Sequence, residues 1–125
     1  MKLCEKQSDF MYMVGELLRY VQPLQECYGV IVKWTEMNRT LETQKAYVNE
    51  GMSQTLDSKH LINLAVDFAV IKDGKVFYEC EILDDMGFYW ESIGGVWGGN
   101  WEHFIDRPHF EYNEKMRKAY VESQS

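Results

Sequence analysis

The stretch Ser58-Lys-His60-Leu-Ile-Asn63-Leu-Ala65-Val-Asp67-Phe68 leads from a polar segment into an apolar run that continues to residue 71. Lys72-Asp73-Gly74 then predicts a tight turn, so residues 64–71 and 75–78 are expected to form a β-hairpin. Asp67 lies between two apolar neighbours inside the first strand, where a charge is costly unless it is paired or coordinated. A buried Asp is more often a satisfied hydrogen-bond acceptor, so the strand alone leaves both interpretations open.

Helical and strand patterns continue on both sides of this hairpin. Ser8 is the expected N-cap of the first helix and Pro23 its expected break, while Thr40 and Gly51 delimit a second helix that leads into a polar loop over residues 52–59. Helices and antiparallel strands without regular βαβ units indicate an α+β fold, a small antiparallel sheet flanked by helices. The predicted helices cover residues 8–27, 41–49, 79–92 and the charged tail, and a further predicted strand, buried, covers residues 28–34.

Composition excludes several classes of protein. The 125 residues include 13 basic and 20 acidic side chains, a net charge of −7, which argues against binding to nucleic acid or anionic lipid. The apolar runs are too short for a membrane-spanning helix, so no membrane insertion is expected. The first residues lack the pattern of a secretory signal peptide, which predicts synthesis in a cytoplasm without export. The length predicts one domain with one core.

The three cysteines, Cys4, Cys27 and Cys80, are not arranged as a disulfide framework or a thiolate metal site. None of them has Cys-x-x-Cys spacing, and three cannot all pair with one another. We therefore expect reduced, structural thiols.

A second group of polar residues lies near the C-terminal end, in Trp97-Gly98-Gly99-Asn100-Trp101 and in Asp106-Arg107-Pro108-His109-Phe110-Glu111. With His60, two imidazoles and a carboxylate suit Zn²⁺, and they leave a fourth position for water. A further carboxylate near the metal can deprotonate that water, and Pro108 restricts the backbone between Asp106 and His109. His-x6-Asp spacing also arises by chance, so spacing alone leaves the zinc site a hypothesis. His103 is expected to lie on the surface or to contact a metal ligand without binding the metal itself.

Together, these motifs resemble the zinc peptidases that include D-alanyl-D-alanine carboxypeptidases and the L-alanyl-D-glutamate endopeptidases of phage endolysins. The first motif of that family runs Ser-x-His-x-x-Gly-x-Ala-x-Asp, and the second motif of its endolysin branch runs Trp-Gly-Gly-Asp-Trp, then Asp-x-Pro-His-Phe-Glu. The resemblance extends upstream through Arg39 and covers about residues 39–111. The matches to the first motif are Ser58, His60, Asn63, Ala65 and Asp67, and those to the second are residues 97–101 and 106–111.

The resemblance implies a Hedgehog/DD-peptidase-like single domain that holds one Zn²⁺ per chain. It implies that His60, Asp67 and His109 are zinc ligands and that Asp106 is the catalytic base. The carboxypeptidase branch usually has Glu at the base position, so Asp106 favours the endopeptidase branch. Arg39 is our candidate for the group that stabilises the tetrahedral oxyanion, because a guanidinium pairs well with anionic oxygens.

Two residues depart from the family pattern. Asn63 stands where Gly is usual, and we expect a positive φ there, which Asn tolerates better than other residues do. Asn100 stands where Asp is usual and has the same shape without the charge. Neither departure removes a proposed ligand or the base.

Five further residues are expected to bind substrate or to support the ligands. Ser53 and Ser58 are expected to cap turns or to hydrogen-bond near Asp67 or the substrate. Trp97 and Trp101 are candidates for the wall of a substrate groove, with core packing as the alternative. Glu111 either orients a ligand through a hydrogen bond or ends its strand.

The sequence therefore predicts a phage-type endolysin that cleaves the L-alanyl-D-glutamate bond of peptidoglycan stem peptides. We expect it to be a monomer without a separate wall-binding domain, stored in the host cytoplasm and released to the cell wall. One alternative is a D-alanyl-D-alanine carboxypeptidase or dipeptidase of the same fold. The other is a non-catalytic relative that holds zinc and binds the wall.

Overall fold

A computed structural model describes residues 1–51, 53 and 58–125 of the chain. Within this described part the chain forms four α-helices and a five-stranded antiparallel sheet, which is the predicted α+β class. The helices are α1 (Leu3–Tyr28), α2 (Leu41–Asn49), α3 (Glu81–Ser92) and α4 (Glu114–Ser123), and the strands are β1 (Ile31–Glu36), β2 (Ala65–Lys72), β3 (Lys75–Phe77), β4 (Val96–Trp97) and β5 (His109–Glu111).

Strand β2 is the centre of the sheet. It pairs with β1 along one edge, and its other edge is shared between β3, which pairs with residues 70–72, and β5, which pairs with residues 65–67. β4 then pairs with the outer edge of β5. The change of partner from β5 to β3 therefore occurs beside Phe68 and Ala69, immediately after Asp67.

The hydrophobic core lies on one face of this sheet, against α1 and α3. Alternation along β2 directs Val66, Phe68 and Val70 into the core, so Asp67 points to the opposite face. That opposite face carries the polar residues of the candidate site. The main helical contributors to the core are Phe10, Met13, Leu17 and Val21 of α1 and Ile82, Leu83, Met86 and Trp90 of α3.

Helix α1 differs from the prediction at both points that were expected to limit it. It begins at Leu3 instead of after Ser8, because Lys2 is the N-cap and the Glu5 carboxylate accepts a hydrogen bond from the Lys2 backbone N–H at 3.1 Å. Pro23 does not break the helix, which continues to Tyr28 and ends at Gly29 in the left-handed conformation, φ 66°. Pro23 lies on the exposed side of α1, where solvent can hydrogen-bond the carbonyl that lacks a donor.

The sequence predicts a buried strand over residues 28–34. The strand exists as β1, but the predicted burial is wrong. Strand β1 covers Ile31–Glu36 at the edge of the sheet, and four of its six residues are exposed. The β-branched run that suggested burial has only one strand neighbour, β2, within the described residues.

The predicted limits of α2 and the predicted hairpin turn are confirmed. The Thr40 hydroxyl accepts from the Thr43 N–H at 3.1 Å and caps α2, and Gly51 follows that helix with φ 77°. Asp73 and Gly74 form the hairpin turn with φ 52° and 74°.

Of the predicted polar loop, residues 52 and 54–57 lie outside the described residues. All three cysteines are unpaired, and no helix in the described part of the chain is both long and apolar enough to cross a membrane.

Candidate metal centre and active-site cleft

His60, Asp67 and His109 come from three different elements and meet on the open face of the sheet. His60 lies in a 3₁₀ turn over Lys59–Ile62, whose N-cap Ser58 accepts a hydrogen bond from the His60 N–H at 3.2 Å. The turn ends at Asn63 with φ 54°, the positive value that was expected at this position. Asp67 of β2 and His109 of β5 are directly paired in the sheet, so their side chains share a face.

The facing atoms of these three residues form a compact donor set. Asp67 Oδ1 lies 3.2 Å from His60 Nε2 and 3.3 Å from His109 Nδ1, and the three atoms all lie within 4.8 Å of one another. Among the described residues, His60 Nε2 and Asp67 Oδ1 are buried side-chain atoms without a well-aligned hydrogen bond. Two imidazole nitrogens and a carboxylate oxygen in this arrangement fit Zn²⁺. These residues could therefore hold that metal.

The remaining ring nitrogens of both histidines face protein acceptors. His60 Nδ1 lies 3.4 Å from the Met37 carbonyl, and His109 Nε2 lies 2.8 Å from the Glu111 carboxylate. Lys59 Nζ contacts the other Glu111 oxygen at 3.0 Å and so holds that carboxylate in place. Such partners set the tautomer and orientation of a metal-ligating histidine. Glu111 thus supports His109 as well as ending β5.

Mutual contacts shift the pKa values within this donor set. Burial disfavours the charged form of Asp67, but His109 and His60 beside it hold the pKa of its carboxyl well below the usual range. Burial also lowers the pKa of His109, yet the adjacent carboxylates of Asp67 and Glu111 outweigh burial and raise that pKa to about 9. Glu111 titrates below its ordinary pKa, because His109 and Lys59 overcome the effect of burial. A proton on His109 therefore competes with a metal for this site.

Asp106 lies in the loop before β5, on the same cleft as the three donors. Its N–H donates to the Gly98 carbonyl at 2.9 Å, and its own carbonyl accepts from the His109 N–H at 3.1 Å. Burial, together with the charge of Asp67, raises the pKa of the Asp106 carboxyl above its ordinary value. A raised pKa suits a group that accepts a proton near neutral pH.

The two tryptophans of the Trp-Gly-Gly-Asn-Trp motif have different positions. Trp97 is buried in the core and is not among the residues that line the cleft, so the structure does not bring it to the predicted groove. Its indole N–H donates to the Arg107 carbonyl at 2.8 Å and holds the loop that carries Asp106. Trp101 lines the cleft and packs on His109, with 4.9 Å between ring centroids.

Arg39 also lines the cleft, but its guanidinium is already engaged. Nε and Nη2 contact the Glu36 carboxylate, Nη1 donates to Gln44 Oε1 at 2.6 Å, and Nη2 lies 3.6 Å from Asp67 Oδ2. The guanidinium of Arg39 therefore hydrogen-bonds protein side chains in this structure. The role of Arg39 in stabilising the oxyanion remains a prediction.

The cleft has a volume of about 640 Å³, within the range of small-molecule sites. Ser53 and Ser58 line it as expected, and Ser53 Oγ accepts from Gln44 Nε2 at 2.9 Å. His103 is exposed and is not part of the donor set found in the described residues. The lining also includes residues without a role in the sequence-based prediction, namely Glu36, Tyr47, Lys59, Tyr78 and Phe104.

Comparison with known proteins finds similarity to a group of peptidases. A family model described as D-alanyl-D-alanine carboxypeptidase, of the peptidase M15 group, matches residues 51–112. An L-alanyl-D-glutamate peptidase of Listeria phage A118 is 40% identical over 94 residues. The chain is therefore similar to peptidases of the M15 group. This similarity confirms the family resemblance that the motifs indicated.

The chain spans about a third of the length of the Listeria phage relative: the match covers 72% of this chain and 33% of that protein. The solved structure of Serratia marcescens L-Ala D-Glu endopeptidase ChiX is similar over 90% of this chain and 83% of that one, with a TM-score of 0.68 and 28% identity. This likeness confirms the predicted fold class.

Proposed function

We propose that this protein is a zinc-dependent L-alanyl-D-glutamate endopeptidase of the phage-endolysin type, acting on peptidoglycan stem peptides in the cell wall. The observation that carries the proposal is the buried His60–Asp67–His109 donor set on the same cleft as Asp106, in which His60 Nε2 and Asp67 Oδ1 lack a well-aligned hydrogen bond. The activities for which the Listeria phage and Serratia relatives are named support the choice of bond. We propose synthesis in the host cytoplasm and action as a monomer.

The proposed chemistry is hydrolysis of an amide. When bound by His60, Asp67 and His109, zinc would polarise the scissile carbonyl and lower the pKa of a water towards about 7. The Asp106 carboxylate accepts a proton from the water as its oxygen attacks the carbonyl carbon. The C–N bond then breaks, and Asp106 delivers that proton to the leaving amine. Glu111 and Lys59 keep His109 oriented throughout.

The decisive experiment compares turbidity loss of outer-membrane-permeabilised cells treated with wild type or Asp106→Ala, with zinc content measured for each. We expect Asp106→Ala to keep its zinc and to lose lysis by about 10²- to 10⁴-fold, because the base is removed while the ligands stay. His60→Ala is expected to lose the metal itself.

The matched control is His103→Ala, which removes an exposed histidine outside the donor set. It should keep both zinc and lysis. Lysis by Asp106→Ala at the wild-type rate would overturn the assignment of the base, and zinc-loaded wild type that releases nothing from peptidoglycan would instead favour a non-catalytic wall-binding protein.

The matching family is named for D-alanyl-D-alanine carboxypeptidase, and this supports that activity as a second candidate. Mass spectrometry of digested muropeptides separates the two activities. Loss of a terminal D-Ala identifies the carboxypeptidase, whereas cleavage that leaves L-Ala as a free carboxyl end identifies the endopeptidase.

A further inference from the structure

The guanidinium of Arg39 lies beside the candidate metal centre and contacts the side chains of Glu36, Gln44 and Tyr47. The side chain is 8% exposed. Glu36 and Gln44 accept from its N–H groups, and the Tyr47 ring lies under its central carbon at 4.6 Å. The Arg39 backbone N–H donates to the His60 carbonyl at 3.1 Å, which ties the same residue to the turn that carries a proposed ligand.

Gln44 is the inner anchor of this arrangement. It is the buried residue of α2, with an exposed fraction of 0%, and burial of an amide is costly unless both of its ends are satisfied. Oε1 accepts from Arg39 Nη1 at 2.6 Å, and Nε2 donates to Ser53 Oγ at 2.9 Å. Glu36 is held similarly, because the Tyr47 hydroxyl donates to its Oε2 at 3.0 Å.

The two oxygens of Asp67 face different partners. Oδ1 points at His60 and His109, whereas Oδ2 faces Arg39 Nη2 at 3.6 Å. The Arg39 guanidinium attracts Asp67 Oδ2, and this attraction favours one orientation of the carboxylate about its Cβ–Cγ bond. With Oδ2 held on that side, Oδ1 is the oxygen presented to a metal.

We infer that Gln44 and Glu36 are positioning residues which hold Arg39, and that Arg39 orients the Asp67 carboxylate so that a single oxygen is offered to zinc. The inference rests on the proposed zinc site. It gives Arg39 a role in metal binding, exerted through Asp67, in place of a direct role at the oxyanion.

The test measures zinc affinity without substrate, by competition with a chromogenic chelator. Gln44→Leu should weaken zinc binding by about 10-fold and Arg39→Met by 10- to 100-fold, because loss of groups that orient a ligand has effects of that size. Gln44→Glu should bind zinc more tightly than Gln44→Leu does, since a carboxylate still accepts from Arg39 Nη1. The matched control is Lys45→Gln, an exposed position on the same helix, which should leave affinity unchanged.

Wild-type zinc affinity in both Gln44→Leu and Arg39→Met would overturn the inference. If Arg39→Met also lost lysis at full zinc occupancy, the oxyanion role would be favoured instead. If Gln44→Leu does not fold, Glu36→Gln decides in its place, with an expected loss of about 10-fold. Failure of the proposed function is distinguishable, because zinc binding is measured without any wall substrate.

Discussion

Gly98 packs closely against the segment that carries the candidate base and a candidate ligand. A Cβ at this position would lie 2.3 Å from the Asp106 carbonyl oxygen and 3.0 Å from His109 Cβ, so the two chain segments approach more closely than any side chain would allow. The Gly98 carbonyl also accepts the Asp106 N–H. The absence of a side chain at residue 98 therefore keeps Asp106 and His109 on one cleft.

Gly98→Ala is expected to destabilise the fold by about 1–3 kcal/mol, because the clash involves backbone that must move. It should also reduce lysis, since the movement displaces the segment that carries Asp106 and His109. Urea denaturation and turbidity loss provide the two measurements. The control is Gly15→Ala, an exposed helical position with open space around the added Cβ, which should stabilise by about 0.5–1 kcal/mol. An unchanged Gly98→Ala protein would show that the loop relaxes freely.

At the scale of elements, helix α1 shows how tertiary packing outweighs a local signal. Pro23 lacks the N–H that would donate to the carbonyl four residues earlier, and its ring is disfavoured inside a helix. The helix nevertheless continues to Tyr28, because buried Val21 and half-buried Leu24 pack against the core on either side of Pro23. Burial of this face outweighs the local cost.

Pro23→Ala should therefore raise stability, by about 1–3 kcal/mol, since it restores a helical hydrogen bond at an exposed position without removing core contacts. Thermal unfolding would show a higher Tm with unchanged lysis. A lower Tm would mean that the proline contributes to stability, for example by restricting the unfolded chain.

At the scale of the whole molecule, two tyrosine–aspartate hydrogen bonds join elements that are far apart in the chain. The Tyr28 hydroxyl donates to Asp85 and joins α1 to α3, and the Tyr112 hydroxyl donates to Asp9 at 2.9 Å and joins the end of β5 to α1. The bond to Asp85, assisted by burial, raises the pKa of Tyr28 to about 12. Burial, assisted by Asp9, likewise raises the pKa of Tyr112.

A tyrosine whose pKa is raised by folding stabilises the protein fully below its ordinary pKa of about 10, and this contribution is lost as pH rises through the folded value. The free energy of unfolding should therefore fall above about pH 10. Tyr28→Phe and Tyr112→Phe should each be less stable than wild type at neutral pH and lose stability less steeply at alkaline pH. Tyr12→Phe, at a position 67% exposed, is the control and should follow wild type. Equal alkaline slopes in all four proteins would contradict the prediction.

Several features follow from the sequence by itself because they depend on residues close together in the chain. The Thr40 cap, the Asp73-Gly74 turn and the positive φ at Asn63 are each set by one or two side chains. The α+β class follows from the same local patterns, and the family resemblance from two motifs in order. The residues proposed as ligands and base were also named from those motifs.

Only the tertiary structure decides which atoms of those residues meet. The pairing of β2 with β5 brings Asp67 beside His109 and, with the turn at His60, leaves buried polar atoms that a metal can satisfy. The exposure of β1 and the burial of Gln44 were likewise not visible in the sequence. The exposure of β1 and the burial of Gln44 depend on which elements lie next to one another. Contacts between residues far apart in the chain set that arrangement, and local periodicity does not encode such contacts.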